Sequence, residues 1–167
     1  EVFHVGPIQE IKKTHPPTLF VGYDRKECDA HILAVIAGDT IAAKPVPKGH
    51  DELITIILDQ SPFYGESGGQ VGDIGLITAP GFEFEVTDTQ KTDGYIQHIG
   101  KVLAGEAKHG LAVRARIDAK KRQGIQRAHS ATHLLHWALH QVLGKHATQA
   151  GSRVEDDLLR FDFSHPQ

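Results

Sequence analysis

The sequence predicts an α+β fold, in which a small β-barrel is followed by a long helix and a β-hairpin. Up to about residue 117 the chain shows short apolar runs separated by turn residues, and from Asp118 the apolar spacing becomes helical. The chain has 167 residues, of which 40% are hydrophobic. That composition is enough for one or two compact domains with an ordinary apolar core.

The strands of the first part are rich in β-branched and large apolar residues. Turn residues such as Gly38-Asp39 and Ser61-Pro62 bound them, and Phe82, Phe84 and Val86 alternate with polar residues in one of them. Seven strands are predicted, over residues 18–23, 30–37, 53–58, 74–78, 82–87, 95–99 and 111–117. Short strands at a spacing of roughly ten residues are typical of a small barrel or sandwich.

The helix that follows has a clear beginning and end. Asp118 can cap a helix that starts near Ala119 and runs to about Leu143, and Gly144 can close it. Helical spacing predicts one buried face, made of Ile125, Ala128, Ala131, Leu135, Ala138, Leu139 and Val142. Residues 148–154 and 158–163 are predicted to form a hairpin that turns through residues 155–157. We place the domain boundary between residues 90 and 110, which divides the chain into domains 1–95 and 96–167.

Composition excludes several classes of protein. No apolar run approaches the roughly 20 residues that span a bilayer, and no signal peptide is visible, so we expect a cytoplasmic protein with no membrane partner. The single cysteine, Cys28, excludes an internal disulfide and a CxxC metal pair. The chain has no methionine, so we expect it to be part of a longer polypeptide.

Charge is distributed unevenly along the chain. Residues 1–90 contain six Lys and Arg against fourteen Asp and Glu, whereas residues 91–167 contain twelve against seven. Such asymmetry can mark a face that binds nucleic acid, although an ordinary solvated surface is the alternative.

The helix also carries a stripe of histidines, which are His129, His133, His136 and His140. An i, i+4 pair of imidazoles on one helix face can share a zinc ion. Ser130 stands where a zinc protease would carry its catalytic glutamate, so that class is excluded. Surface histidines without a metal are the alternative, and a zinc site would need more donors. Cys28, His165 or a carboxylate could supply them, and the sequence does not select among these.

Three motifs in order resemble one family. Residues 129–136, His-Ser-Ala-Thr-His-Leu-Leu-His, resemble the HxxxH signature of the editing domains of alanyl-tRNA synthetases and of related free-standing editing proteins. Residues 61–73 are similar to the glycine motif of that family, and residues 149–152 followed by 159–165 match it in order and spacing. The first fifty residues resemble, by position, the β-barrel that precedes the editing core.

The resemblance implies that the longer protein is an alanine-tRNA ligase that hydrolyses the ester joining serine or glycine to the alanine tRNA. Such a second site is needed because a pocket for a methyl group rejects similar side chains by only about 1–3 kcal/mol. The implied partner is the acceptor end of that tRNA, and ATP and alanine would bind only in an aminoacylation domain outside this chain. Residues 96–167 would then be the N-terminal, incomplete part of the editing domain.

The resemblance also assigns roles to individual residues. His129 and His133 would bind zinc, and the other ligands, a cysteine and a histidine of a later CxxxH motif, are expected beyond Gln167. Thr132 and Gln149 would be catalytic, because a hydroxyl and an amide can bind the seryl group without adding charge. The alternatives are a hydroxyl bonded to the preceding helical turn for Thr132 and an exposed strand residue for Gln149.

The substrate-binding residues implied by the resemblance are Gly68, Gly69 and Arg127. The glycine motif would help to shape the editing pocket, and its alternative role is that of a turn-rich barrel connection. Arg127 belongs to a basic group that could follow the acceptor stem, made of Lys108, Arg114, Arg116, Lys120, Lys121, Arg122 and Arg127. His136 and His140 match no ligand of the family, and we expect them to face solvent or tRNA.

Other functions remain open at this point. A threonyl-tRNA synthetase editing domain also carries an HxxxH pair, but the motifs at 62–73 and 160–165 disfavour it. A non-catalytic tRNA-binding module would keep its tRNA affinity after mutation of His133 and would have no hydrolysis to lose. A barrel that acts only as a spacer would show no tRNA affinity, even at low salt.

Overall fold

The computed structural model describes residues 6–144, 148–154 and 159–164. Two helices are present, α1 (Pro7–Lys12) and α2 (Ala119–Leu143). The strands are β1 (Leu19–Phe20), β2 (Glu27–Ala37), β3 (Thr40–Ile41), β4 (Val46–Pro47), β5 (Ile54–Leu58), β6 (Gln60–Ser61), β7 (Gly75–Ala79), β8 (Phe82–Thr92), β9 (Tyr95–Ala104), β10 (Glu106–Ala107), β11 (Ala112–Ile117), β12 (Thr148–Val154) and β13 (Leu159–Ser164). The predicted α+β class is confirmed.

Six strands close into an antiparallel barrel in the order β11-β7-β8-β9-β5-β2, and β2 pairs back with β11. Strand β3 pairs with the end of β2 in antiparallel orientation. Two small ribbons are formed by the pairing of β1 with β6 and of β4 with β10. Closure removes the unpaired sheet edges that would otherwise invite association. The predicted small barrel is therefore correct, and each of the seven predicted strands corresponds to an observed one.

The apolar runs of β2 and β5 are continuous because both faces of these strands are buried. Ile32 packs inside the barrel, and a bulge between Ile32 and Ala34 shifts the register, so that Val35 then points inward and Ile36 outward. The outward side is covered by Ile8 and Ile11 of α1. The sequence does not predict α1, because one i, i+3 apolar pair in six residues gives too little periodicity to recognise.

The chain divides into two compact units. The first comprises the residues up to Gly65 together with Gly72–Asp118, and the second comprises Glu66–Val71 together with the residues from Ala119 onward. The sequence-based boundary after residue 95 falls inside β9, which is hydrogen-bonded to β8 and β5 within the barrel. Because β9 and β11 are both needed to close the barrel, the structural division comes later, at the start of α2.

In the second unit, α2 packs on the antiparallel hairpin formed by β12 and β13. The helix has the predicted bounds, and its expected buried face is only partly present. Of the seven predicted residues Ile125 is buried, whereas Ala131, Leu135 and Val142 are exposed; Gly124 and Thr132 are buried in addition. A helix of 25 residues is about 37 Å long, but strands of six or seven residues span only about 20–23 Å. Length is not the whole difference, because at the middle of the helix Thr132 is buried while its neighbour Ala131 is exposed, so the buried side differs from the predicted one. The predicted turn at 155–157 lies outside the described residues.

Candidate metal and substrate site on helix α2

Helix α2 carries most of the side chains that the sequence predicts to be functional. It ends where expected, because the Gly144 N–H donates to the His140 carbonyl oxygen at 3.1 Å and Gly144 has a φ of +94°. A glycine adopts this left-handed conformation without a steric penalty. The helix therefore holds His129, Thr132 and His133 on a regular backbone, upstream of a defined end.

The two histidines of the HxxxH motif meet at their ring nitrogens. His129 Nε2 and His133 Nε2 are 3.2 Å apart, and the rings are nearly perpendicular, with centroids 4.8 Å apart. Two nitrogen ligands on a tetrahedral zinc ion, with bonds of about 2.0–2.1 Å, are separated by about 3.3 Å. The pair thus has the spacing of two ligands on one zinc ion.

The other ring nitrogen of His129, Nδ1, is buried and is without a hydrogen-bond partner in the described part of the chain. A histidine that binds a metal through one nitrogen commonly donates from the other to a carbonyl or carboxylate. The described part of the chain does not supply that group.

The described residues provide two donors rather than a whole zinc shell. Among them, no group of three or more His, Cys, Asp or Glu side chains is arranged to hold a metal ion. Cys28 is buried in the barrel strand β2, opposite Ala115, and burial raises the pKa of its thiol. Because a metal binds the thiolate, this environment does not favour Cys28 as a ligand. His165, the other named candidate, lies outside the described residues.

Thr132 lies between the two histidines in the sequence, and its side chain is buried. Its hydroxyl donates to the Ala128 carbonyl oxygen at 3.0 Å, which is the bond to the preceding turn that the sequence analysis named as the alternative. This bond uses the hydroxyl proton and leaves the oxygen lone pairs as acceptors. Thr132 can therefore accept a hydrogen bond from a ligand but has no second proton to donate.

Gln149 lies in β12, where its backbone is paired with Phe163 of β13. The register shifts between Gln149 and Gly151, next to this pair. Bulges of this kind often re-aim a side chain near a functional site. The side chain of Gln149 is outside what the structure describes, so its predicted catalytic role stays a prediction.

Gly68 and Gly69 form the tip of a tight turn. Ser67 and Gln70 exchange two backbone hydrogen bonds of 3.1 and 2.9 Å, and the glycines between them have φ values of +58° and +81°. Positive φ at both central positions is the signature of a type I′ turn. This turn belongs to the same compact unit as α2, whereas the residues on either side of 66–71 belong to the barrel unit.

The predicted basic group falls into two units and is not uniformly available to an anion. Arg114 lies in the barrel, where it bonds Glu27 at 3.1 Å and Asp29 at 3.1 Å, and these bonds raise the pKa of its guanidinium. These two carboxylates already compensate its charge. Arg127 lies on α2, is exposed, and lines a cleft along the helix.

Two further features of α2 stand out. His136 and His140 form a second i, i+4 pair, with ring centroids 4.2 Å apart. Trp137, which the sequence analysis did not select, is 63% exposed. The composition of α2 could have drawn attention to this residue, because the helix contains the single tryptophan of the chain together with cations and no acidic residue.

Comparison with known proteins identifies the class. The family described as tRNA synthetases class II (A) matches residues 4–121. The chain therefore belongs to the class II (A) tRNA synthetases.

Several relatives within this class are alanine-tRNA ligases. The enzyme of Rhodopirellula baltica is 44% identical over 99% of this chain, that of Gluconobacter oxydans 47% identical over 95%, and that of Acetivibrio thermocellus 50% identical over 89%. These similarities confirm the predicted resemblance to alanyl-tRNA synthetases. The chain spans 17% to 18% of the length of these relatives.

In the described part of the chain, neither helix is long and apolar enough to cross a membrane.

Proposed function

We propose that this chain contributes part of an editing site to a longer alanine-tRNA ligase. That site would hydrolyse the ester that joins a wrong amino acid, serine or glycine, to the alanine tRNA. The observation that carries the proposal is the 3.2 Å approach of His129 Nε2 and His133 Nε2 on α2. Aminoacylation with ATP and alanine is proposed for parts of the polypeptide outside this chain.

His129 and His133 would hold zinc together with donors beyond Gln167. When bound, the ion would supply positive charge, which can polarise an ester or lower the pKa of a water molecule. Only neutral imidazoles bind a metal, so protons would compete with zinc for these two side chains.

Thr132 would recognise the seryl hydroxyl. Its own proton is directed to the Ala128 carbonyl oxygen, so its oxygen offers acceptor lone pairs only. A serine hydroxyl can donate to such an acceptor, and the methyl group of alanine cannot. This difference would favour mischarged serine over the correct product at the editing site.

Gln149 and Arg127 would complete the interaction with substrate. The amide of Gln149 would bind the aminoacyl ester, and the exposed guanidinium of Arg127 would bind a phosphate of the acceptor end. Gly68 and Gly69 would shape the pocket through their type I′ turn, whose conformation non-glycine residues adopt poorly.

The test compares zinc binding and ester hydrolysis in the chain extended past Gln167. We expect one zinc ion per chain by elemental analysis and release of serine from seryl-tRNA of the alanine tRNA. His129→Asn and His133→Asn should lose both, whereas His136→Asn, one turn further along the same stripe, should retain both. An extended protein that binds no zinc and leaves the ester intact would disprove the proposal.

The same variants separate editing from simple RNA binding. If the chain were a non-catalytic RNA-binding module, His133→Asn would leave tRNA affinity unchanged and wild type would show no hydrolysis. Zinc binding with no hydrolysis by the extended wild-type protein would also contradict the proposed activity, because the complete metal shell would then serve structure alone.

A further inference from the structure

Trp137 is a large aromatic side chain exposed next to the histidine pair. It lies four residues after His133, so the two are neighbours on the surface of α2. Side chains on a helix lean toward its N-terminus, which directs Trp137 toward the turn that carries His133. Trp137 is 63% exposed and Leu134, on the adjacent row, is 69% exposed.

The helix around Trp137 has the charge pattern of a surface for a polyanion. Residues 119–143 contain four cations, Lys120, Lys121, Arg122 and Arg127, and no Asp or Glu. Three of these cations lie in the first turn, where they oppose the helix macrodipole.

A shallow cleft of about 410 Å³, open to solvent, lies on the exposed face of the same helix before Trp137. It is lined by Gln123, Gln126, Arg127, Ser130, Ala131 and Leu134. Two amides, a hydroxyl and a guanidinium offer hydrogen-bond donors to phosphate and sugar oxygens. Arg127 and Trp137 are ten residues apart, which corresponds to about 15 Å along the helix axis.

We propose that Trp137 is the stacking platform for an unpaired base at the end of an RNA strand, whose backbone lies along the cleft lined by Arg127. Aromatic rings flanked by cations are the usual means of binding single-stranded RNA, since a base stacks on the ring while the backbone contacts the charges. Four large apolar side chains of α2 are exposed, and the two that lie nearest the cleft, Leu134 and Trp137, stand among hydrogen-bond donors and cations, which suits a base and its backbone. The inference rests on the proposed function, because it names the contact that would hold the acceptor end beside the histidines.

The single tryptophan of the chain makes the stacking contact directly measurable. The probe is a four-nucleotide single-stranded RNA ending in adenosine, and the matched control is the same RNA ending in an abasic ribose. Titration with the first should quench Trp137 fluorescence and shield it from acrylamide. The abasic RNA should bind more weakly and leave the emission nearly unchanged.

Variants of the helix surface provide the second measurement. Trp137→Ala should weaken binding of the adenosine-ended RNA by about 5- to 100-fold, the usual range for loss of one stacked base. Trp137→Phe should recover most of that loss, because a smaller ring still stacks. Val142→Ala, on the same helix and 80% exposed, is the matched control and should bind as wild type does.

Either of two results would overturn the inference: RNA that binds without changing Trp137 emission, or Trp137→Ala that binds as wild type does. Emission that depends on protein concentration and not on RNA would instead show that a second copy of the chain covers Trp137. These titrations contain no ester and no added zinc. Failure of stacking is therefore distinguishable from failure of the editing proposal, which is measured by zinc content and hydrolysis.

Discussion

Ser61 Oγ and His98 Nε2 lie 2.6 Å apart inside the barrel, and both side chains are fully buried. His98 Nδ1 is 2.8 Å from the Ile56 carbonyl oxygen, which can only accept, so Nδ1 carries the ring proton. Nε2 then accepts from the Ser61 hydroxyl, whose oxygen in turn accepts from the Phe63 N–H at 3.0 Å. This chain of bonds joins β5, β6 and β9 around a neutral imidazole. Its burial makes it a structural feature rather than a hydrolytic Ser-His pair.

The buried imidazole makes the stability of the barrel depend on pH. Burial lowers the pKa of His98 from 6.5 to about 4. The unfolded chain therefore binds a proton at this site more readily than the folded chain does between pH 6.5 and 4. The neutral His98 therefore stabilises the folded barrel by about 3 kcal/mol above pH 6.5 relative to acidic pH. This stabilisation is lost progressively as the pH falls from 6.5 to 4.

Urea unfolding between pH 7.5 and 4 measures this dependence. His98→Gln keeps an amide that can donate to the Ile56 carbonyl and accept from Ser61, but the amide does not titrate. The difference in unfolding free energy between wild type and His98→Gln should therefore shrink as the pH falls. A difference that stays constant across this range would show that His98 titrates normally in the folded chain.

Removal of the Ser61 hydroxyl should destabilise the barrel without creating a large cavity. Ser61→Ala leaves His98 Nε2 buried without its donor, which costs about 1–3 kcal/mol. The matched control is Thr87→Ser, which keeps the exposed hydroxyl bond to the Ile99 carbonyl and should change stability by less than about 0.5 kcal/mol. Denaturant midpoints at pH 7 compare the two, and equal midpoints would contradict the role assigned to the Ser61 hydroxyl.

The elements that the sequence predicts well are those in which local pattern and final environment agree. The alternation of Phe82, Phe84 and Val86 follows the barrel interior directly, and α2 begins and ends within its predicted bounds because Gly144 supplies the stop. The short ribbons β4 and β10 carry no such pattern, since two-residue strands contain no period. The bulge in β2 is not predictable from the sequence either, because a run that is apolar on both faces shows no change of pattern where the register shifts.

The site was predictable only where a motif fixes it. The i, i+4 spacing brings His129 and His133 together on any helix, and the structure places their ring nitrogens 3.2 Å apart. The compensation of Arg114 by Glu27 and Asp29 depends on the pairing of β11 with β2, which joins residues more than eighty positions apart. Sequence spacing carries no information on such a pairing, so Arg114 was grouped with the basic residues of α2.

Two glycines of the 61–73 motif should respond differently to substitution. A Cβ at Gly72 would lie 2.1 Å from the Thr89 carbonyl oxygen, so Gly72→Ala forces the backbone apart and should cost about 3 kcal/mol or more. At Gly68 a Cβ would meet nothing within 4 Å, and the only obstacle is its φ of +58°. Gly68→Ala should therefore cost about 1–2 kcal/mol.

The matched variant for this pair is Gly68→Asn, since asparagine tolerates left-handed backbone better than alanine does. Free energies of unfolding from urea titrations should rank wild type above Gly68→Asn, then Gly68→Ala, then Gly72→Ala. A Gly72→Ala protein as stable as Gly68→Asn would show that β8 does not approach Gly72 closely.

Thr132 offers the sharpest test of substrate selectivity. Thr132→Val keeps the branched shape and removes the oxygen that would accept from the seryl hydroxyl, and it also removes the donor to the Ala128 carbonyl. In the chain extended past Gln167, hydrolysis of seryl-tRNA should fall by about 5- to 150-fold, because leaving the buried seryl hydroxyl without its acceptor costs about 1–3 kcal/mol. Hydrolysis of glycyl-tRNA should fall much less, because glycine has no hydroxyl to recognise.

Thr132→Ser is the control, since it retains the hydroxyl and should keep most of the activity on seryl-tRNA. The ratio of kcat/KM for the seryl and glycyl substrates separates recognition from folding, because a general loss of structure lowers both values together. Zinc content should be unchanged in both variants, as His129 and His133 remain. Equal losses on the two substrates would therefore assign Thr132 to the packing of α2, through its bond to Ala128, and remove it from substrate recognition.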